Sequence, residues 1–586
     1  MSVHPTSLPV ATWLVAMWLV SACSPTAVPQ EPAPVTTTVD VTSHQDNMPS
    51  GVVVVTNASV HTVNPDQPAA EAFAYDEDGV IIAVGSEADV LAAAGPDPTL
   101  IDGGGNMVLP GFHDTHVHAL EAGINNELCL LDPWLTLTEY EEQLADCAED
   151  QTGSDWVRAA GASLFDLRDS DELPIDVLDS VIPDQPALVL DDLGHAVWTN
   201  TLGLEAAGIG ADDPDPQGGV LHRDPDTGRL SGLLLEDAQQ QVRNAAAVDD
   251  ETAYAGLLVA LDELARNGVT SISDAGGYWQ QNHPAAFQRA LADDTLTVRA
   301  MNAMYLYPSL DIDRQLAEME QRFEDDPNSL LRFNTVKIYI DGILDLGTAA
   351  MIEPYDVAPD DGYPNGFFYF QTDQLQTYVS ELHAIGYKLH FHVIGDAATR
   401  VALDAIEAID ADPTEIAERR HRLTHTYLVD PADVSRFAEL GVVADFQVGP
   451  ESSATDYHEY LSEFIGERAF DLIPVRTLLD SGADVSLSSD WDADPISPFG
   501  TIQRAVTRDE NAVDTVEQAI ELVTIGAAYA LSSDDMTGSI EVGKYADFVI
   551  IDQNLLEVDI RQIEDTSVLL TVVGGRETYR SQAFAP

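Results

Sequence analysis

Lysine is almost missing from this chain: 586 residues contain three, Lys337, Lys388 and Lys544. Positive charge as a whole is scarce, with 26 lysines and arginines against 100 aspartates and glutamates and a formal net charge of −74. A surface this acidic repels nucleic-acid phosphates and anionic lipid headgroups, which excludes both as partners. It keeps the chain soluble at the cost of self-repulsion, and high salt screens that cost away. Adaptation to salt is the first reading of this charge; a preference for cationic partners or substrates is the second.

Long apolar runs are missing too, apart from Pro9 to Val20. That run is too short to span a bilayer as a mature helix but has the length of a signal-peptide core. It leads into Val20-Ser21-Ala22-Cys23, which resembles a bacterial lipobox, in which the cysteine is lipidated and becomes the mature N-terminus. The usual positive leader is absent, since Met1 to Leu8 hold no lysine or arginine. Residues 1–23 are therefore expected to be a lipoprotein-type signal peptide, and the protein an exported one, periplasmic or at the cell surface. The membrane is touched only through a lipid on Cys23; an ordinary secretory signal is the alternative. Of three cysteines, Cys129 and Cys147 remain, and in an exported chain such a pair suggests a disulfide. Two buried thiols are the alternative.

The length suggests more than one domain. Residues 24–50 are rich in Pro, Thr, Val and Ala without a helical period and read as a flexible tether. Residues 51–110 carry β-branched runs and turn signals, and residues 531–586 return to the same pattern, so the two segments are expected to form one discontinuous β-sandwich. Between them, residues 111–530 alternate short apolar runs with helical stretches, which predicts an α/β fold, a (β/α)₈ TIM barrel with parallel strands. Eight strand ends fall at His116/His118, Asp274, Tyr305, Lys337, His392, His425, Gln447 and Asp490. Residues 126–242 read as an insertion after the first strand, with a strand of its own at Ala187 to Leu190. Insertions on barrel loops shape the substrate mouth.

His116-Val117-His118 is the sharpest motif. Residues two apart on a strand face the same way, so two imidazoles at a strand end can share a metal ion. Lys337 is the second signal, because a chain that has shed nearly every lysine keeps one at a strand end. As an ammonium it cannot ligate a metal; carbamylated by CO₂ it becomes a carboxylate that can bridge two cations. Its alternative is an ion pair with Asp341 or Asp345. His392 and His425 end two further strands, with His390 and His421 as rivals, and alternation puts His390 on the same face as His392. Asp490 follows the last strand, where a carboxylate can touch a metal and take a proton from metal-bound water, or cap a helix.

The order His-X-His, Lys, His, His, Asp along five strands resembles the amidohydrolase superfamily. Leu109 to His118, Val336 to Gly342, His392 to Asp396, Arg422 to His425 and Ser489-Asp490-Trp491 are similar to its amidohydrolase-3 group, the YtcJ-like branch that includes N-substituted formamide deformylases. The resemblance implies that His116 and His118 bind one divalent metal and that His392 and His425 bind the second. Carbamylated Lys337 would bridge them, and Asp490 would act as ligand and general base; one or two divalent ions are expected, zinc first, with Mn, Fe or Ni equally suited to these ligands. His195, in Asp192-Leu193-Gly194-His195, would touch the carbonyl oxygen or orient the substrate. The implied reaction is hydrolysis of a non-peptide C–N bond of a small amide by metal-activated hydroxide. The alternatives are another reaction at the same site (lactone or ester hydrolysis, deamination, isomerisation) and a ligand-binding lipoprotein without turnover.

Overall fold

A computed structural model describes residues 51–584 apart from positions 127, 134, 165, 171, 359–361 and 509. The expected signal peptide, its Cys23 and the tether lie outside the described residues. Eight parallel strands form one sheet in chain order: β1 Phe112–Val117, β2 Val269–Gly277, β3 Arg299–Tyr305, β4 Leu331–Tyr339, β5 Lys388–Val393, β6 Arg422–His425, β7 Val443–Gln447 and β8 Val485–Ser488. Nearly every residue in them is buried, which is why they read as continuous apolar runs without alternation. Beyond the end of β8, Val117 and Trp491 form a parallel bridge, and the Asp490 amide donates to the His116 carbonyl at 2.9 Å. The first and last strands of this TIM-barrel sheet thus meet at His116-Val117-His118 and Asp490-Trp491.

The β-module is built from both ends of the chain. Met107–Pro110 pairs in parallel with Ser59–His61 and antiparallel with Phe548–Ile551, so N- and C-terminal segments share one six-stranded sheet. A four-stranded sheet from Val53–Thr56, Ala72–Tyr75, Ile81–Gly85 and Thr99–Asp102 accompanies it, and Phe73 meets Phe548 edge-on at 5.0 Å. Met107–Pro110 runs through Gly111 straight into β1. A Cβ at Gly111 would sit 2.2 Å from the Thr270 side chain, so only glycine lets β1 lie this close to β2.

A buried ion pair ties the module to the barrel. Arg299 on β3 donates to both carboxylate oxygens of Asp547, at 2.7 and 3.1 Å, and the Gly574 amide donates to the same carboxylate at 2.6 Å. Asp547→Ala strands a buried guanidinium, and the expected loss of stability is about 3–5 kcal/mol, read from the denaturant midpoint.

The insertion is larger in structure than its single expected strand. A six-stranded mixed sheet runs in the order Gly219–Arg223, Leu230–Glu236, Ala196–Thr199, Ala187–Asp191, Val157–Ala162 and Cys129–Leu130. Its strands are short and broken by glycine and aspartate, which hides them from period-two patterns. Cys129 and Cys147 are joined in a disulfide across 18 positions, tying the edge strand to helix Leu137–Asp150. Opening that loop is expected to cost the lobe about 3 kcal/mol on the chain-entropy account, measurable as earlier unfolding of Cys147→Ser or the reduced protein.

Candidate metal centre

The strand ends bring four histidines and Asp490 together. His116 and His118 stand on one side of β1, and His118 opens helix Ala119–Asn125. His392 ends β5 one residue before Val393, and His425 closes β6. His425 and Asp490 sit at φ 67° and 61°. Such left-handed conformations cost a non-glycine residue about 1–3 kcal/mol and persist where the surroundings enforce them.

Three ring nitrogens converge on one carboxylate. His116 Nε2 lies 3.0 Å and His118 Nε2 3.6 Å from Asp490 Oδ1, and His425 Nδ1 lies 3.7 Å from Oδ2. One donor atom each from His116, His425 and Asp490 falls within 4.8 Å of the others, close enough to share an ion. Burial alone would raise the Asp490 pKa, but His116, His425 and His118 outweigh it and hold the carboxyl well below its ordinary range. Burial, with Lys337 adding to it, lowers His425 to about 3 against the opposing pull of Asp490.

Hydrogen bonds on the far side of each ring set which nitrogen is free. His118 Nδ1 donates to Glu121 at 2.9 Å, leaving Nε2 bare toward Asp490. His392 Nε2 donates to the Gly342 carbonyl at 3.3 Å, and its Nδ1 is buried with no partner among the described residues. An orphaned buried imidazole nitrogen beside three converging ligand atoms fits a metal ion, and carboxylate-held histidine is the usual support for one. Neither Glu121 nor Gly342 was picked out from sequence, although Glu121 stands three residues past His118 on a helix.

Lys337 is fully buried on β4, its Nζ 3.4 Å from each ring nitrogen of His116. The alternative pairings do not occur. Asp341 accepts instead from the amides of Ala350, Ile394 and Gly395, and Asp345 from Tyr457 Oη. Burial lowers the Lys337 amine to about 7, so it loses its proton far more readily than a surface lysine.

The rival histidines do other work. His390 lies deeper in the barrel, its Nδ1 accepting from Arg422 at 2.8 Å and its Nε2 2.9 Å from His116 Nδ1. His390, His116 and Asp445 also form a compact group, but Asp445 already accepts from Thr115, Thr424, Gln447, Ser486 and Ser488. Its lone pairs are spent on a polar network, which leaves little for a cation. His421 contacts His383 at 3.0 Å and the Leu389 amide, away from Asp490.

His195 reaches the site from the insertion lobe. Its Nδ1 donates to Glu236 at 2.6 Å, and Glu236, wholly buried at φ 55°, also accepts from Tyr369 and Thr348. Burial would lower the His195 pKa, but Glu236 outweighs it and the net shift is upward. A cavity of about 660 Å³ opens over the cluster, lined among others by His118, His195, Tyr339, His425, Asp490 and Trp491.

Residues 99–579 match the amidohydrolase family. The chain belongs to that family. It is a metal-dependent hydrolase of small molecules that acts on carbon–nitrogen bonds other than peptide bonds. The amidohydrolase is 28% identical over 545 residues to N-substituted formamide deformylase of Arthrobacter pascens, covering 89% of this chain and 97% of that one. It is 27% identical over 551 residues to the protein LONG AFTER FAR-RED 3 of Arabidopsis thaliana, covering 91% and 92%. In fold it is similar to an uncharacterized metal-dependent hydrolase of Pyrococcus horikoshii, with a TM-score of 0.69 and 20% identity over 87% of this chain and 99% of that one.

Proposed function

We propose that this amidohydrolase cleaves a small N-substituted amide of the formamide kind, with His116, His118, His392, His425, Asp490 and carbamylated Lys337 holding two zinc ions. The observation that carries the reading is the convergence of bare imidazole nitrogens on the Asp490 carboxylate at the mouth of the barrel. The relation to a formamide deformylase over almost the whole of both chains supports the substrate class. Lys337 supports the carbamate on geometry: it has no carboxylate partner among the described residues, and burying an unpaired ammonium is costly.

When bound, the metal acidifies water and polarises the amide carbonyl. The rest falls to the chain. Asp490, held ionised, accepts the proton of the attacking water and delivers it to the leaving nitrogen, which otherwise departs poorly. His195, fixed by Glu236, presents its free edge to the cavity and orients the carbonyl. The insertion lobe lines part of the cavity through Leu130, Gly161 and Leu190 to His195. The amide and one water become a carboxylic acid and an amine.

The test is a panel of N-alkylformamides, longer amides, lactones and aminopurines with metal-loaded protein. Hydrolysis of the amides with two equivalents of zinc is expected. Turnover confined to esters or aminopurines would displace the amide reading, and binding without any turnover would favour the lipoprotein. We also propose export with a lipid on Cys23; the Cys129–Cys147 disulfide supports an oxidising compartment. Full-length protein should partition with membranes and Cys23→Ser should not; equal partitioning would remove the anchor.

A further inference from the structure

We infer that the insertion lobe is part of the metal centre: Glu236 and Arg243 are positioning residues that hold one ligand of each metal pair from behind, Glu236 through Gly342 to His392 and Arg243 through Glu121 to His118. This rests on the metal-centre reading above. Glu236 closes the lobe strand Leu230–Glu236, and Arg243 follows in the helix Gln239–Ala245. One short stretch of the lobe thus reaches two different strand ends of the barrel.

The Glu236 route ends on His392. Glu236 is 1% exposed, and three donors converge on its carboxylate: His195 Nδ1 and Tyr369 Oη, each at 2.6 Å, and Thr348 Oγ1. Thr348 Oγ1 accepts in turn from the Ile343 amide at 2.9 Å, and the Thr348 carbonyl accepts from the Gly342 amide at 3.3 Å. The turn after β4 is thereby fixed with the Gly342 carbonyl 3.3 Å from His392 Nε2. A Cβ at Gly342 would stand 2.1 Å from Glu236 Oε1, so only glycine lets the lobe carboxylate come this close to the barrel.

The Arg243 route ends on His118. Arg243 Nη2 donates to Glu121 Oε1, and the other oxygen of that carboxylate accepts from His118 Nδ1 at 2.9 Å. Arg243 supplies the positive charge that a mostly buried carboxylate needs, and its guanidinium lies 5.2 Å over the Tyr278 ring. A Cβ at Gly276 would stand 2.7 Å from Glu121 Oε2, so a second glycine clears room for a second supporting carboxylate. Both routes end on the ring nitrogen that must keep its proton if the other nitrogen is to bind a cation. A carboxylate or a carbonyl only accepts, so each contact fixes the proton there. A plain seam between lobe and barrel has no reason to end twice on that nitrogen.

The test is stepwise titration of Zn²⁺ into metal-stripped full-length protein against a competing chromophoric chelator, with the thermal midpoint read alongside. Arg243→Met is expected to weaken one zinc-binding step by about 10- to 100-fold and Glu236→Gln the other, the range that loss of such a supporting contact costs. The double variant should weaken both. Arg243→Lys, which keeps a cation beside Glu121, should recover part of the loss. Thr348→Val, which removes the hydroxyl between Glu236 and the Gly342 turn, should reproduce the Glu236→Gln effect and replaces that variant if it does not fold. Arg229→Met opens an exposed ion pair within the lobe, with Asp176, and should leave both steps unchanged. Lower midpoints in the folded variants with both zinc affinities intact would mark a structural seam and overturn the proposal. So would equal weakening of both steps by Arg229→Met. A parent protein that binds no zinc overturns the metal-centre reading itself, and the clamp with it.

Discussion

Asp490→Asn is expected to lower kcat by about 10²- to 10⁴-fold, the range a positioned acid–base group supplies, while the barrel stays folded. Asparagine keeps the shape of the side chain and the backbone bond from residue 490 to the His116 carbonyl, which closes the sheet. It removes the charge that His116, His118 and His425 face and the lone pair that receives the water proton. Substrate binding should survive, since the His195 edge and its bond to Glu236 are untouched. The measurement pairs kcat with metal content and with KM or a binding constant for an amide. Metal retained with turnover lost separates the base from the ligand role. Unchanged turnover would refute the mechanism.

Lys337→Met is expected to drop metal content below the two equivalents of the parent and turnover by more than about 100-fold, beyond what loss of an outer supporting contact costs. Methionine matches the lysine stem in length and suits a fully buried position, so the barrel should hold its stability or gain some once an unpaired buried amine is gone. That contrast makes the result interpretable: a structural lysine would lose stability and keep metal. In the parent, intact mass under gentle conditions should carry one CO₂ on Lys337. A Lys337→Met protein with two metals and full activity would reduce Lys337 to a core residue.

Much of this site is written in short-range sequence. His116 and His118 are two apart on a strand, and the period of the pleat puts both on one face wherever the strand goes. Lys337 stands out because the chain has so few lysines, and Asp490 because it follows a short apolar strand. Choosing between His390 and His392 required the barrel: alternation aims both inward, and only the stacking of layers puts His390 beneath, against Arg422, and His392 at the mouth. Glu236 was not legible at all. It stands 41 residues from His195, and the two meet only because adjacent strands of the insertion sheet pair there.

The sequence by itself determined the parallel α/β barrel, its two-ended β-module and the identity of the strand-end residues, because strand period, turn chemistry and motif order are local. Tertiary structure decided which nitrogens stand bare and which carboxylates share a cavity. Those depend on what packs behind each ring and on burial, and neither is set until segments hundreds of residues apart have closed on one another.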